Sequence, residues 1–167
     1  MPDLLTVETI GVIETPFPEP KGTPIQPSRA AGALGRVRVE ARYRAALRDL
    51  EGFERIWLLY WLHRAPEARL HVTPFLDSRQ HGLFATRAPA RPCPIGMSAV
   101  RLLGIVEDGV LEVADVDMID GTPLLDIKPY VPEFDSHPVS KAGWFDEAAS
   151  QRCLADGRFE AEAGRAR

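Results

Sequence analysis

ERIWLLYWLH, residues 54–63, is a nearly unbroken run of large apolar and aromatic side chains. A run of this length and composition predicts a strand that is buried on both faces. The segments LLTVETIGVIET at 4–15 and GRVRVEA at 35–41 alternate, which predicts strands with one buried face. Further strands are expected at 69–75, 81–87 and 98–106.

A hairpin turn is predicted at Glu107, Asp108 and Gly109, leading into VLEVADVDMI. One short helix is expected at 42–50, with Leu47 and Leu50 at helical spacing and Gly52 closing it. Many strands separated by turns, with one or two short helices, predict a mainly β protein built as a small β-barrel.

A doubly wound nucleotide-binding sheet is not expected. Its first strand would be followed by the glycine-rich turn GxGxxG. Here the first predicted strand runs into GVIETPFPEPKG, which lacks that pattern, and GALGRV precedes a strand instead of following one. Residues 16–27, PFPEPKGTPIQP, carry five prolines and predict a stiff, irregular loop.

The chain has 167 residues, of which 45% are hydrophobic, so one domain with a real core is expected. The longest apolar run, Ile56 to Leu62, is too short to span a bilayer, and no secretory leader is seen. We therefore expect a soluble cytoplasmic protein that does not contact a membrane. Cys93 and Cys153 are too few for a disulfide scaffold, and no spacing of ligands predicts a metal site.

The net charge of −4 is divided unevenly. Residues 1–101 carry 14 Lys and Arg against 10 Asp and Glu, and residues 102–167 carry 6 against 14, so the halves differ in sign. The densest basic stretch holds Arg36, Arg38, Arg42, Arg44 and Arg48. It is either a phosphate-binding surface or ordinary solvated arginine, and composition favours the second interpretation.

Two proline-stiffened segments concentrate polar chemistry. In DGTPLLDIKPYVPEFD, residues 120–135, the alternation places Asp126 and Lys128 on one face and points Leu125 and Ile127 into the core. In FATRAPARPCPIG, residues 84–96, prolines hold Arg87 and Arg91 on a rigid loop, a geometry suited to a bidentate carboxylate or phosphate. On the residues alone, the first pair is equally well a weak surface ion pair.

Together these two segments resemble the TrmO family, also called YaeB-like or TsaA-like. The resemblance implies a non-Rossmann β-barrel that uses S-adenosyl-L-methionine to methylate N6-threonylcarbamoyladenosine in the tRNA anticodon loop. It also implies a homodimer with the cofactor site near the subunit interface. The cofactor contacts that it implies are Gln26, Pro27, Ser28, His63, Arg64, Arg87, Met97, Leu124, Leu125, Asp126 and Ile127.

Lys128 and Tyr130 are the candidates for the acceptor side, to polarise a carbonyl or to relay a proton. Arg87 is expected to bind the carboxylate of the cofactor. His63, which ends the aromatic run, is placed near the cofactor without a role as a base. On the residues alone, a lone histidine there is more often a core residue, and Gln26 to Ser28 is a turn.

The resemblance predicts a methyltransferase domain at 4–135 and a C-terminal tail at 136–167, partly ordered around Trp144. Within the tail, DEAASQRCLADG predicts a short helix and FEAEAGRAR a frayed end. Ala88 and Cys93 stand where the family pattern FATRSPxRPNPIG has Ser and Asn. These departures keep two alternatives open: a paralogue that methylates a small molecule, and a nucleoside-binding barrel without catalysis.

Overall fold

The computed structural model describes residues 5–148 and 152–161. In this part of the chain eight strands form, together with one four-residue α-helix, α1 at Pro132–Asp135, and several 3-10 helices of three to seven residues. The strands are β1 Gly11–Glu14, β2 Leu34–Val39, β3 Arg55–Trp61, β4 His71–Val72, β5 His81–Gly82, β6 Ile95–Glu107, β7 Val110–Ala114 and β8 Thr122–Pro129. The mainly β class is confirmed.

Six antiparallel strands close a barrel in the order β1, β2, β7, β6, β3, β8, and β8 pairs back onto β1. The predicted turn at Glu107 to Gly109 connects β6 to β7, with Gly109 at a positive φ of 81°. Closure pairs every barrel strand on both sides, so the barrel has no open edge. The predicted small β-barrel is confirmed.

The strand β3 faces the interior with alternate residues only. Ile56, Leu58 and Tyr60 are buried, whereas Trp57, Leu59 and Trp61 point outward and are partly or well exposed. The prediction of burial on both faces was wrong, because a closed barrel offers a single interior and the outer side has no second layer here. The aromatic run therefore supplies half of its bulk to the core and half to an apolar outer surface.

Several predicted elements are shorter than expected. Of the segment 4–15, only Gly11–Glu14 forms a strand, and residue 4 lies outside the described residues. Pairing with β8 begins at Ile10, whose N–H donates to the Leu124 carbonyl. Segments 69–75 and 81–87 contribute two-residue strands to a separate small sheet. Segment 98–106 extends to Ile95–Glu107.

The helix predicted at 42–50 is absent. Two 3-10 helices, Ala41–Leu47 and Leu50–Gly52, stand in its place, and Asp49 between them has a φ of 67°. A left-handed residue interrupts the helical hydrogen bonds, so a continuous α-helix cannot form across it. Leu47 is nonetheless buried in the core, and Leu50 packs against it.

The tail is tied back onto the body at several points, including the proline-rich loop, where the Ala155 N–H donates to the Thr23 carbonyl at 2.8 Å. Trp144 donates a hydrogen bond to the Ala85 carbonyl at 2.7 Å and stacks on His81. Phe159 is buried in a second apolar cluster with Val72, Leu83, Ala88 and Ala90. The division into a domain and a tail partly ordered around Trp144 stays a prediction. The frayed end predicted at 159–167 was wrong for Phe159, and residues 162–167 lie outside the described part. Of DEAASQRCLADG, residues 149–151 also lie outside it, and no α-helix forms in the rest.

Candidate functional site

A pocket of about 340 Å³ opens at one end of the barrel. The end of β3, the start of β6, the start of β8 and the segment before β8 form its floor and one wall. These termini coincide because β3 is antiparallel to both neighbours, with Trp61 opposite Ile95 and Tyr60 opposite Leu124. The proline-rich loop, the Arg87 loop and the tail near Phe159 complete the rim.

Arg87 lies at the exposed rim of this pocket. Its Nη1 donates a 2.7 Å hydrogen bond to Oε1 of Gln26, which joins the two loops that the sequence singled out. Within the described residues it makes no ion pair with a carboxylate. The guanidinium therefore keeps donors available for an anionic group of a ligand.

His63 lines the same pocket and has a buried ring nitrogen. Among the described residues its Nδ1 is the only buried side-chain polar atom that has no hydrogen-bond partner. Burial lowers the pKa of the imidazole, so the ring is neutral near pH 7. A buried polar atom without a partner costs free energy, and a ligand that supplies a hydrogen bond removes that cost.

Tyr60, Ser98 and Asp117 form a hydrogen-bonded chain at the inner side of the pocket. Ser98 Oγ donates to Asp117 Oδ1 at 2.6 Å and lies 2.9 Å from the Tyr60 hydroxyl. Burial is the largest effect on both ionisable groups. It raises the pKa of Asp117 to about 7 and raises the pKa of Tyr60 far above its usual range. The carboxyl group therefore changes charge within the physiological pH range.

Of the other predicted site residues, some line the pocket and some lie elsewhere in the structure. Arg64 lines the pocket and donates to the Pro18 carbonyl at 2.8 Å, and Met97 lines it from the outer side of β6. Pro27 and Ser28 begin a 3-10 helix next to Gln26 and do not line the pocket. Leu124 is fully buried in the barrel core.

Asp126 and Lys128 lie on the outer face of the barrel, where they form a 2.7 Å ion pair, as their spacing predicted. They stand opposite Leu59 and Trp57 of β3, and the Tyr130 ring packs 5.6 Å from that of Trp57. None of the three lines the pocket. The sequence motif 124–130 thus belongs mostly to the barrel wall and not to the cavity.

The predicted inward direction of Leu125 was wrong. The register between β3 and β8 slips after Leu59, so that Leu59 faces Asp126 and Tyr60 faces Leu124. Leu125 is the extra residue of a β-bulge, and Leu124 takes the core position instead. Ile127 packs against the core as predicted.

Each arginine of the basic stretch 36–48 is paired with a carboxylate. Arg36 pairs with Glu112, Arg38 with Glu14 and Arg44 with Asp108. Arg42 contacts Glu8 and Glu40, and Arg48 contacts Asp49. This agrees with solvated arginine and gives no support to a phosphate-binding stripe there.

Asp117 and Ser98 were not among the predicted site residues. Asp117 lies in VADVDMID, which follows a predicted strand, and nothing in the sequence separates it from the other aspartates of that segment. Ser98 is a small residue inside β6. No motif links two residues 19 positions apart. The antiparallel pairing of β6 with β7 brings them together, because Arg101 stands opposite Ala114 and the same register continues toward Ser98 and Asp117.

A second and larger cleft lies next to this pocket. It has a volume of about 940 Å³ and is lined by β4 and the segment between β4 and β5 on one side and by the tail on the other. Arg79 bridges it by pairing with Asp77 and Glu147. We call it the hairpin–tail cleft, and none of the predicted site residues lies in it.

Comparison with known proteins identifies the family. The model of the tRNA-methyltransferase O N-terminal domain matches residues 12–136, three quarters of the chain. This chain belongs to the TrmO family. A probable S-adenosyl-L-methionine-binding protein of Pyrococcus abyssi is 46% identical over 161 residues, which cover 95% of this chain and 87% of the relative.

Two further TrmO relatives link this sequence to a named activity and to a solved structure. The tRNA (adenine(37)-N6)-methyltransferase of Escherichia coli is 38% identical, over 84% of this chain and 64% of its own length. The crystal structure of TrmO from Pseudomonas aeruginosa superposes with a TM-score of 0.70 at 38% identity, covering 84% of this chain and 62% of that one. This chain therefore spans under two thirds of both of these relatives. Among the described residues, no helix is long and apolar enough to cross a membrane.

Proposed function

We propose that this TrmO-family chain is an S-adenosyl-L-methionine-dependent methyltransferase that acts on N6 of threonylcarbamoylated adenine in the tRNA anticodon loop. The name of the Escherichia coli relative specifies adenine 37 and its N6, and that of the Pyrococcus abyssi relative specifies the methyl donor. A tRNA substrate also agrees with a cytoplasmic enzyme. The pocket at the barrel end is where we propose that the methyl donor binds.

The observation that carries this assignment is one pocket lined both by Arg87, which has donors available, and by His63, which has an unpartnered Nδ1. The donor molecule combines an adenosine, rich in hydrogen-bonding groups, with an amino acid carboxylate. Arg87 suits the carboxylate, while His63 and Gln26 suit polar atoms of the nucleoside. When bound, the cofactor supplies an electrophilic methyl group on a positively charged sulfur.

The residues of the pocket position the reactants and exclude water from them. Tyr60 and Thr122 close the floor from the barrel core, and Phe159 closes the side that the tail covers. Positioning of two reactants in line supplies much of the rate enhancement in a transfer of this kind. A cavity of about 340 Å³ lies in the range of small-ligand pockets.

We further propose that two copies associate through the outer face of β3 and β6. Trp61, Ile95 and Met97 lie side by side on this face and are 47%, 47% and 50% exposed. Contiguous exposed apolar side chains of this kind mark association surfaces. Asp126 and Lys128 belong to the same outer surface, beyond Leu59. A homodimer would bring Asp126, Lys128 and Tyr130 near the pocket of the second copy, and their proposed contact with cofactor or acceptor requires that assembly.

Next to the pocket, Phe84 and the pocket-lining Arg91 form a surface suited to a nucleobase. Phe84 is 80% exposed, and the Arg91 guanidinium lies 5.7 Å from its ring centroid. Arg91 is itself held by the carbonyls of Thr86 and Ala88. Flat aromatic and guanidinium groups of this kind stack on the unpaired bases of RNA loops.

One observation favours the second candidate, a methyltransferase for a small molecule. The basic stretch 36–48 is neutralised by its own carboxylates, which reduces the attraction for a polyanion. Ala88 and Cys93 do not line the pocket, so the departures from the family pattern leave the cofactor walls unchanged.

A transfer assay separates the two candidates. Purified protein is incubated with methyl-labelled cofactor and with tRNA that either contains or lacks the threonylcarbamoyl group, and the nucleosides are analysed by mass spectrometry. We expect label at N6 of the modified adenosine only. Tight cofactor binding without transfer to either tRNA, and without tRNA affinity at low salt, would support the small-molecule candidate.

A further inference from the structure

Two carboxylates line the pocket in the described part of the chain, Asp117 and Asp156, and Asp117 is the one that makes no ion pair. Its neighbour in sequence, Asp115, pairs with Arg55 at 3.2 Å and Arg101 at 3.0 Å. Asp117 makes no ion pair with any residue in the described part of the chain, and its resolved partner is the Ser98 hydroxyl. The sequence places two carboxylates close together and the fold neutralises only one of them.

The surroundings of Asp117 contain few groups that titrate. Those that line its pocket are Tyr60 and His63 at the end of β3, Arg64 after it, Arg87 and Arg91 on the proline-stiffened loop, and Asp156 in the tail. Tyr60 stays protonated because burial raises its pKa, and His63 stays neutral. Arg87 is the cation that acts on Asp117, and it favours the ionised carboxylate. Asp156 is already bound by Arg158.

Lys128 and Tyr130, the residues that the sequence offers for proton transfer, do not line the pocket of their own chain and would reach a pocket only through the proposed homodimer. The Lys128 ammonium is engaged by Asp126 and holds no lone pair for a proton. A carboxylate inside the pocket is better placed than either. From this geometry we infer that Asp117 is a catalytic residue, the acceptor of the proton that the methylated nitrogen loses. The inference rests on the proposed methyltransferase function.

Methyl transfer with Asp117 as the proton acceptor conserves atoms and charge. The acceptor nitrogen uses its electron pair to form a bond to the methyl carbon. The bond from that carbon to sulfur breaks, and its electron pair stays on sulfur, which becomes neutral. The bond from nitrogen to hydrogen breaks, its pair remains on nitrogen, and the proton passes to the Asp117 carboxylate. Solvent then removes that proton and restores the ionised form.

The pKa of Asp117, raised to about 7 by burial, suits this role, because a base works best when its pKa lies near the working pH. Ser98 tunes the group, since its hydrogen bond favours the ionised form. Ser98 is thus a positioning residue, and Tyr60 in turn holds Ser98.

Single-turnover methyl transfer to threonylcarbamoylated tRNA, at saturating cofactor and between pH 5.5 and 9, tests the inference. For the wild-type protein we expect the rate to rise tenfold per pH unit and to level off above about pH 7. For Asp117→Asn we expect a plateau at least ~100-fold lower and no break in the profile. Ser98→Ala keeps the carboxyl group and is expected to move the break to higher pH. The surface variant Asp108→Asn is the matched control and should follow the wild-type profile.

Two measurements without turnover accompany the profile. Carbon-13 NMR of the side-chain carboxyls should show a signal that titrates near pH 7 and is missing in Asp117→Asn. Cofactor affinity by calorimetry should change less than ~3-fold in that variant, well below the rate effect. A loss of rate that is fully explained by weaker cofactor binding would overturn the inference, as would transfer by Asp117→Asn at the wild-type rate.

Failure of the methyltransferase function and failure of the Asp117 role give different results. If wild-type protein and Asp108→Asn both transfer no methyl group, the proposed function is wrong and the proton-acceptor role falls with it. If both transfer normally and Asp117→Asn does too, only the role of Asp117 is wrong.

Discussion

Ser98 and Asp117, 19 residues apart in the chain, are joined by a 2.6 Å hydrogen bond at the inner side of the pocket. Ser98 has a single proton and gives it to the carboxylate, so the Tyr60 hydroxyl at 2.9 Å must donate to Ser98. The chain of donors therefore points from the barrel core toward Asp117. A fixed direction of this kind holds one carboxyl group in place without a cation beside it.

The first prediction concerns stability and pH. The pKa of Asp117 is raised from 3.8 to about 7 on folding, so the folded protein holds the proton more tightly than the unfolded chain. This contribution to stability is complete below about pH 4 and is lost as pH rises through about 7. Between pH 4 and 8 we expect the free energy of unfolding to lose up to about 4 kcal/mol from this group.

Denaturant titrations of wild-type protein and Asp117→Asn at pH 4, 6 and 8 measure this loss. The Asn variant cannot titrate at this position, so its stability should decline less steeply between pH 4 and 8. Parallel curves for the two proteins would show that the carboxyl group titrates alike in the folded and unfolded chain.

A second prediction concerns Arg87. Replacing it with alanine removes the guanidinium proposed for the cofactor carboxylate and the bond to Gln26. We expect binding of S-adenosyl-L-methionine to weaken by about 1.5 to 3 kcal/mol, the range for a charge-assisted hydrogen bond. Calorimetry measures the affinity, with Arg36→Ala on β2 as the control. Wild-type affinity in Arg87→Ala would remove Arg87 from the cofactor site.

A third prediction uses two glycines of one strand. A Cβ at Gly96 would overlap the Tyr60 ring, whereas a Cβ at Gly104, also on β6, meets no atom within 4 Å. Gly96→Ala must displace a buried ring that is hydrogen-bonded to Ser98, so we expect a cost of about 1 to 3 kcal/mol. Thermal unfolding of Gly104→Ala provides the matched control and should show a much smaller shift in Tm. Equal shifts in the two variants would contradict the packing of Tyr60 against β6.

A fourth prediction addresses the proposed homodimer. Trp61→Glu places a charge in the exposed apolar face of β3 and β6. We expect sedimentation to show a dimer for the wild-type protein at micromolar concentration and a monomer for this variant. Leu34→Glu is the control, because Leu34 is also well exposed but lies on β2, three strands away around the barrel. A monomeric wild-type protein would rule out the shared-site arrangement.

Much of the barrel was predictable from the sequence because alternation and turn residues are local signals. GRVRVEA and the turn at Asp108 and Gly109 form the elements that they predict. The burial of ERIWLLYWLH was overestimated, since apolar content alone does not show whether a strand has a layer on its second side. The β-bulge opposite Tyr60 could not be predicted from the sequence either, because the register of a strand depends on its partner strand.

The candidate site was predicted in part. Gln26, His63 and Arg87 line one pocket, and their contact with the cofactor stays a prediction. Asp126 and Lys128 do not join them within one chain, since strand alternation turns them to the outer face. Asp117 has no distinguishing local sequence, and its raised pKa arises from burial, a property of the folded barrel.

The most direct test of the account is a crystal structure of the protein grown with S-adenosyl-L-methionine. We predict electron density for the cofactor in the barrel-end pocket, with its carboxylate at Arg87 and a polar atom of the nucleoside within hydrogen-bond distance of His63 Nδ1. Density in the hairpin–tail cleft, or on the outer face beside Asp126 and Lys128 with the pocket empty, would contradict it.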